Sequence, residues 1–278
     1  MALTVFSNLP SLNAQRNLGK TQASLTANLA RLSSGMRINS SADDAAGLAI
    51  SEKLRSQIRS LSQAERNAND GFSLLQTAEG GMNEISGVLV RMRELAIQAS
   101  NGTLGTTERT FLNDEFTSIR NEIDRLASAT EFNGVVLLAG GLTNLRLQVG
   151  IGTSTNDRIL VSIGDLRSTA LGSTAMLSTQ SVTTITNAQT AIGVIDAAIT
   201  DVSTQRGQVG SYQNRLNITT ANLASARENL SAANSRIRDV DVAEESAALT
   251  RHNILMQAGV SVLAQANQIP SLVLSLLR

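Results

Sequence analysis

Few side chains in this sequence could carry out chemistry, and the first to consider is its single histidine, His252. The chain has no cysteine, which excludes disulfides and thiolate metal sites, and one histidine excludes multi-histidine metal sites. A Ser-His-Asp triad would have to use His252, but its neighbours follow a helical pattern and no nucleophile elbow lies nearby. We therefore interpret His252 as a polar side chain on a helix and predict no catalytic residue.

Carboxylates and glycines offer no better candidate site. Asp43, Asp44 and the scattered glutamates form no paired-carboxylate constellation, and no Gly-rich phosphate loop is present. Lys plus Arg and Asp plus Glu each number 23, so no charge excess favours nucleic acid or an anionic membrane as a partner. No run reaches about 18 uninterrupted apolar residues, which predicts no membrane insertion. The sequence thus predicts neither an enzyme nor a protein with a cofactor or metal; an enzyme is the less favoured alternative.

The elements that position these side chains are predicted to be long helices. Aromatic residues make up 2% of the chain and apolar residues 42%, so Ala, Leu, Ile and Val must fill the space between helices. Apolar residues at helical spacing predict helices over roughly residues 4–33, from Asp43 or Asp44 to about Ser100, and around 112–126. These helices are expected to lie close together along their length.

In the middle of the chain the apolar spacing changes to the alternation that is typical of strands. Asn133-Gly134 is a turn signal. Apolar residues then alternate with polar or small ones at 145–151 and 159–163, which predicts a β-hairpin. The following segment, about 167–184, is rich in Ser and Thr and shows little pattern.

The strongest periodicity runs from Ile185 to Ile237, where apolar residues recur in alternating steps of three and four. In the second part of this heptad pattern one row is polar, and it consists of Arg206, Gln213, Thr220, Arg227 and Asn234. A polar row costs stability but fixes register and partner. We predict one long helix, and the alternative is two helices with a break near Gly207 or Gly210.

The last helix, from about Val242 to Arg278, differs from the others because no Asp, Glu, Lys or Arg lies between Arg251 and Arg278. A charge-free helix of this length is not a solvated surface element and must be buried. A polar stripe at helical spacing argues against lipid as the covering material, and it consists of Gln257, Ser261, Gln265 and Gln268. Burial among protein neighbours is therefore predicted, and repeated heterologous contacts of this kind generate helical filaments.

Two ordered sets of motifs lie at the two ends of the chain. The N-terminal set is Leu-Ser-Ser-Gly-Met-Arg-Ile-Asn at 32–39, Asp-Asp-Ala-Ala-Gly at 43–47, Arg-Asn-Ala-Asn-Asp-Gly at 66–71, Arg-Glu-Leu-Ala at 93–96 and Phe-Asn-Gly at 132–134. The C-terminal set is Ser-Arg-Ile-Arg-Asp at 235–239, Gln-Ala-Gly-Val-Ser-Val-Leu-Ala-Gln-Ala-Asn at 257–267 and Leu-Ser-Leu-Leu-Arg at 274–278. Both sets resemble bacterial flagellin, in a short form without large variable outer domains.

The resemblance implies an order of domains. Residues 1–42 would be an N-terminal inner-core helix and connector, 43–237 a long-helix shell with a β-hairpin at about 132–165, and 238–278 a C-terminal inner-core helix beside a central channel. Pattern and resemblance together predict a mainly α fold. This fold is a long helical coiled-coil bundle with a small β-hairpin region at the far end and with the discontinuous N- and C-terminal segments paired.

The resemblance also implies a function, that of a structural subunit of the flagellar filament used for swimming. Such a subunit is secreted unfolded through the flagellar type III export apparatus and assembles outside the cell, at the distal tip, with other copies of itself. Its further partners are hook-associated junction and cap proteins and a cytosolic export chaperone at the C-terminal helix. A hook-filament junction protein of the same architecture is the alternative.

A host Toll-like receptor that senses unassembled flagellin is a further partner that the resemblance implies. The residues that match the family's receptor-contact motif are Arg91, Arg93, Glu94, Leu95 and Gln98, with Glu115 on the neighbouring helix. If they carry over this role, Arg91, Leu95 and Glu115 should lie on one exposed face. The alternative is that Arg91 and Glu94 form a solvated i,i+3 pair with a role in assembly only.

The polar stripe of the last helix is predicted to line the channel that the resemblance implies. An export channel must pass unfolded chains of every local charge, and a wall of amides and hydroxyls stays hydrated without holding charged or apolar segments. The candidate lining residues are Gln257, Ser261, Gln265 and Gln268. The alternative is that this stripe forms hydrogen bonds with the N-terminal helix, through residues such as Gln15 and Gln22.

Overall fold

The computed structural model describes residues 8–172 and 175–276, and five α-helices account for most of them. The helices are α1 (Leu9–Ser34), α2 (Ala45–Ala99), α3 (Thr106–Ala129), α4 (Ile185–Arg238) and α5 (Val242–Leu276). The short strands are β1 (Glu131–Phe132), β2 (Val135–Val136), β3 (Leu145–Gln148) and β4 (Arg158–Val161). The predicted fold class, mainly α with a small β-hairpin region, is confirmed.

The chain divides into two compact units. The terminal unit consists of Met1–Ile58 together with Glu228–Arg278, and the core unit consists of Arg59–Arg227. Inside the terminal unit α1 packs along α5. The predicted pairing of the discontinuous N- and C-terminal segments is therefore confirmed.

Local sequence signals set both ends of α1. The Asn8 side chain accepts a hydrogen bond from the N–H of Ser11 at 3.1 Å and so caps the helix. Pro10 stands in the first turn, where its missing N–H costs nothing. At the other end Gly35 has a φ of 70°, the left-handed conformation that commonly ends a helix and that glycine adopts without strain.

The connector between α1 and α2 is held by backbone groups and by one carboxylate. The N–H of Arg37 donates to the carbonyl of Arg238 at 2.6 Å. The Asp43 carboxylate accepts the N–H and the hydroxyl of Ser40 at 2.9 and 3.0 Å, and the N–H of Asn39 at 3.2 Å. These donors, the Ser40 N–H first, lower the pKa of Asp43. The stability they give is present above the usual aspartate pKa and is lost as the pH falls through the lowered one.

Polar contacts hold α1 and α5 antiparallel. Near the start of α1 the Ser11 hydroxyl donates to Asn267 Oδ1 at 2.8 Å, close to the far end of α5. Towards the end of α1, with its amide oriented to satisfy both of its polar atoms, Asn28 donates to Glu245 Oε1 at 3.0 Å. Few apolar side chains are buried between the two helices, and Leu25 is one of them. This pairing therefore rests more on hydrogen bonds than on a deep apolar core.

The core unit, by contrast, has a continuous apolar interior between α2, α3 and α4. Its largest fully buried side chains on these helices are Leu75, Met82, Ile85, Leu89, Met92, Leu95, Phe116 and Ile123. From α4 the buried row continues at heptad spacing through Ile195, Val202, Val209 and Leu216. Because α4 runs unbroken from Ile185 to Arg238, the alternative of a break near Gly207 or Gly210 is wrong.

The polar heptad row of α4 meets carboxylates of α2. The side chain of Gln213 donates to Glu79 Oε2 at 2.9 Å, and Arg227 Nη1 lies 2.6 Å from Glu65 Oε2. Both contacts are partly buried, so each carboxylate would lose its partner if α4 slid along α2. The row thus fixes the register of the two helices, as its sequence pattern predicted.

The β region consists of two antiparallel hairpins, one with a tight turn and one with a longer loop. Asn133 and Gly134 have φ values of 50° and 76°, as a two-residue type I′ turn requires, and they join β1 to β2. Strands β3 and β4 are antiparallel, with Leu145 opposite Val161. The hairpin predicted from the alternating residues is confirmed.

The Ser/Thr-rich segment that showed no sequence pattern is anchored to α3. The Asp124 carboxylate accepts the N–H and the hydroxyl of Ser168 at 2.7 and 2.8 Å. Arg120 Nη1 donates to the carbonyl of Ser178 at 2.7 Å, and Val182 is buried in the core. Side-chain contacts from α3 therefore hold the described residues of this segment, which include a short 3-10 helix at Leu177–Thr179.

The heptad row of α4 yields a prediction about stability. Leu216→Ala removes a fully buried side chain and should destabilise the core unit by about 2–5 kcal/mol. Ile218→Ala, two residues further on the same helix, is the matched control, because Ile218 is 64% exposed. Its cost should stay within about 0.5 kcal/mol. Urea unfolding followed by circular dichroism measures the free energy of unfolding of both variants. Equal losses of this free energy would contradict the assignment of the row to the core.

Candidate assembly and recognition surfaces

The recognition candidates lie where α2 turns into α3, and a buried arginine holds that turn. Arg109, in the first turn of α3, donates from Nε to the carbonyl of Ala99 and from Nη2 to the carbonyl of Asn101, each at 2.9 Å. These two carbonyls stand at the C-terminal end of α2, where helical partners are missing. Arg109 so fixes the start of α3 against the end of α2, and no sequence pattern marked it for this role.

Three of the candidate residues form one ion-pair network across the two helices. Arg91 donates from Nη1 to Glu94 Oε2 at 3.0 Å, on its own helix, and from Nη2 to Glu115 Oε1 at 2.9 Å, on α3. The hydrogen bond that Arg91 donates to Glu115, followed by the one that it donates to Glu94, raises the pKa of Arg91. All three side chains are about half exposed. A partner could therefore reach a fixed pattern of one guanidinium between two carboxylates.

Arg93 points away from this network. Its Nε donates to Asp196 Oδ1 of α4 at 2.7 Å, and this hydrogen bond raises the pKa of Arg93. Asp196 was not among the sequence candidates, and because it lies 103 positions after Arg93 no local spacing could have linked the two residues. Gln98 is exposed on α2. The structure thus brings Arg91, Glu94 and Glu115 together and gives Arg93 a structural contact.

Leu95 does not lie on the exposed face, and this part of the prediction is wrong. Its side chain is 1% exposed and belongs to the apolar core. The cause is the helical period: Leu95 follows the buried Met92 by three residues and precedes the buried Ala99 by four, so it falls on the core-facing stripe. Its side chain therefore packs in the core, four residues after the exposed Arg91 on the same helix.

The polar stripe of α5 is exposed within this chain. Gln257, Ser261, Gln265 and Gln268 all stand at solvent-accessible positions, and the Ser261 hydroxyl donates to the carbonyl of Gln257 at 3.1 Å. The glutamines named as their alternative partners on α1, Gln15 and Gln22, are exposed as well.

Apolar side chains are exposed on both helices of the terminal unit. On α5 the exposed set is Val242, Ile254, Leu255, Val260 and Val262, and on α1 it is Leu9, Leu12 and Leu29. Single exposed apolar residues are ordinary, but α5 combines several of them with a sequence that has no charged residue between Arg251 and Arg278, and water disfavours such a surface. The terminal unit therefore carries an apolar surface that the described residues of the chain leave exposed.

His252 lies on the half-buried side of α5, and its Nδ1 is buried without a hydrogen-bond partner among the described residues. Within the same residues no cluster of His, Asp or Glu could hold a metal ion. Of the helices in the described part, none combines the length and apolar character needed to cross a membrane.

Comparison with known proteins extends these observations. The bacterial flagellin N-terminal helical region matches residues 5–143, and the C-terminal helical region matches 192–277. The chain is 49% identical to a flagellin of Halalkalibacterium halodurans and 44% identical to a flagellin of Bacillus subtilis, with 98% of both chains covered in each case. A crystal structure of Bacillus cereus flagellin is similar with a TM-score of 0.50 and 30% identity, over 61% of this chain and 94% of that one.

The two matched regions are the regions whose motifs carried the resemblance, and relatives of nearly the same length confirm the short form. These full-length relatives are flagellins, so the alternative of a hook-filament junction protein is not favoured. The chain therefore belongs to the bacterial flagellin family, and it is a structural, non-enzymatic subunit of the extracellular flagellar filament.

Proposed function

We propose that copies of this chain polymerise through α1 and α5 of the terminal unit, which form the inner core of the filament. The observation that supports this most is the apolar surface of α5, where Val260 and Val262 are each 54% exposed. Each such side chain contributes roughly 1.5–3 kcal/mol when it is fully buried, so covering the surface would drive association. On this proposal 1–42 and 238–278 are the inner-core segments and 43–237 is the shell around them.

The exposed stripe of α5 is proposed to line the central channel. Gln257, Ser261, Gln265 and Gln268 present uncharged hydrogen-bonding groups on one side of the helix, which also carries Ile254. The exposed Leu255, Val260 and Val262 lie on other sides. Polymerisation would turn the apolar sides towards neighbouring copies and leave the stripe in contact with water. A hydrated, uncharged wall is suited to the passage of unfolded chains.

Export partners are proposed to act on the same helix before assembly. An exposed apolar helix would promote aggregation in the cytosol, so a chaperone that covers α5 fits the surface. The shallow packing between α1 and α5 would also open readily for unfolded passage through the flagellar type III export apparatus. At the two ends of the filament, hook-associated junction and cap proteins would cover the terminal units that lack a neighbouring copy.

A host Toll-like receptor is proposed to bind the monomer at the network of Arg91, Glu94 and Glu115, with Gln98 beside it. Two helices hold the three charges in fixed positions, and fixed charges favour specific recognition. Leu95 would act by supporting this surface from beneath, and Arg93 would do so through its bond to Asp196.

Limited proteolysis tests the role of the terminal unit. In dilute monomer, α1 and α5 should be cut first and the core unit should persist, because the α1–α5 pair buries little apolar surface. In the filament both helices should be protected by neighbouring copies. The cut sites are identified by mass spectrometry, and equal protection of α1, α5 and the core unit in monomer would contradict the proposal.

A double substitution tests the receptor surface. Arg91→Ala with Glu115→Ala should lower receptor activation by about tenfold or more. A tenfold loss of affinity corresponds to a loss of about 1.4 kcal/mol of binding free energy. The matched control is Glu122→Ala with Arg125→Ala, which removes another exposed pair on α3, at 2.6 Å. Circular dichroism should show both variants folded. Full signalling by the folded Arg91 and Glu115 variant in a receptor reporter assay would reject the assignment.

The channel proposal predicts a defect that depends on filament length. Gln265→Leu should leave contacts between copies intact but slow filament growth increasingly as the filament lengthens. Every added copy lengthens a channel wall that carries an apolar side chain, and apolar segments of the passing unfolded chain would bind to it. Gln265→Asn keeps the amide and serves as the control. Growth is followed by fluorescent labelling of live filaments, and a growth rate equal to that of the control at every length would argue against the stripe as lining.

A further inference from the structure

A cleft on the core unit gathers three arginines from separate elements. Arg146 of β3, Arg158 of β4 and Arg215 of α4 line it together with Leu160 and Thr155, around a volume of about 430 Å³. An adjoining pocket that shares Arg158 and Arg215 extends it towards Ile218. We call this feature the arginine cleft, and no carboxylate is among the residues that line it.

Within the described part of the chain no salt bridge is formed by Arg146 or Arg215, and Arg158 donates from Nε to the neutral amide of Gln148 at 3.1 Å. The carboxylate next in sequence, Asp157, accepts the Ser154 hydroxyl, and this bond is the main cause of its lowered pKa. The charge of Arg158 lowers the pKa of Asp157 further, so Asp157 offsets Arg158 in part and leaves Arg146 and Arg215 without a carboxylate partner. Three converging guanidinium groups repel one another, so an anionic partner would stabilise the cleft.

The rim of the cleft indicates a protein partner. Leu160 and Ile218 are large apolar side chains exposed beside the arginines. Interfaces between proteins combine arginine with apolar and aromatic anchors in this way. A site for a small inorganic anion would gain nothing from apolar side chains on its rim.

The start of α3 carries the complementary set of side chains. Phe111 is 69% exposed, the largest exposure among the large apolar residues of the described chain. Glu108 precedes it by three residues and Asp114 follows it by three, both exposed and without an ion pair in the described part. We call these three residues the α3 ridge: one aromatic side chain between two free carboxylates.

The ridge and the cleft of one copy cannot meet. Arg215 stands beside Gln213, which contacts Glu79 of α2, whereas Asp114 stands beside Glu115, which contacts Arg91 of α2. Glu79 and Arg91 are twelve residues apart on α2, which separates the two features by about 18 Å along this helix. A contact between them must therefore join two copies.

We infer that the α3 ridge of one copy docks into the arginine cleft of the next. Phe111 packs against Leu160 and Ile218, while Glu108 and Asp114 pair with Arg146 and Arg215. Because the two surfaces differ, the contact is heterologous and propagates from copy to copy, as a filament requires. This inference rests on the filament function and assigns one interface of the core unit to it.

Charge reversal tests the pairing. The cleft variant carries Arg146→Glu and Arg215→Glu, and the ridge variant carries Glu108→Arg and Asp114→Arg. In either variant the ridge of one copy faces a cleft of the same charge on the next copy. Filament seeds made of either variant should therefore elongate with that variant about tenfold or more slowly than wild-type seeds elongate with wild-type protein. An equimolar mixture of the two variants, and a single chain that carries all four substitutions, should recover to within about threefold of wild type, because opposite charges face each other again.

Controls separate this inference from the filament function. All four side chains are exposed, so circular dichroism and thermal unfolding should show folded monomers; the milder pair Arg146→Gln and Arg215→Gln provides the same test if the reversed pair does not fold. Wild-type growth under the same conditions checks the filament function independently. Normal growth of either folded charge-reversal variant, or no recovery by the folded four-substitution chain, overturns the inference. Phosphate binding that the cleft variant loses while its growth stays normal would also overturn it and would assign a small anion to the cleft.

Discussion

The antiparallel register of α2 and α4 is the constraint on which the rest of the core unit depends. Glu65 and Glu79 lie two heptads apart on α2, and so do their partners Gln213 and Arg227 on α4. Sliding one helix by a turn would leave a partly buried carboxylate without a partner, whereas the apolar row alone would tolerate such a shift. The position of Asp196 against Arg93 follows from this register.

The elements that sequence analysis predicted are those whose contacts recur at a fixed period. The heptads of α4, the Asn133-Gly134 turn and the alternating residues of β3 and β4 each repeat a local rule, so their type and place could be recognised. The polar row was informative because its polar residues recur with the same seven-residue period as the apolar residues beside them. Near-complete motifs at the two ends then indicated the family.

What could not be predicted depends on contacts between residues far apart in the sequence. The segment at 167–184 is ordered by Asp124 and Arg120, which stand on another helix and belong to no shared pattern. Leu95 matched a recognition motif, yet its helical phase places it in the core. The ion-pair network of the candidate site depends on how α3 lies against α2, and the carbonyl contacts of Arg109 determine that.

The two units differ in how much of their apolar surface is buried within the chain itself. This difference suits a protein that assembles with copies of itself. The core unit encloses a continuous apolar interior, although single apolar side chains such as Phe111 and Ile218 are exposed on its surface. In the terminal unit α1 covers one side of α5 only, and a helix with so little burial is marginal in isolation. If other copies supply the covering surface, as proposed, the free energy that completes folding of the ends is also the free energy that joins subunits. On this proposal a subunit stays easily unfolded until it meets the filament, and it becomes stable where it is incorporated.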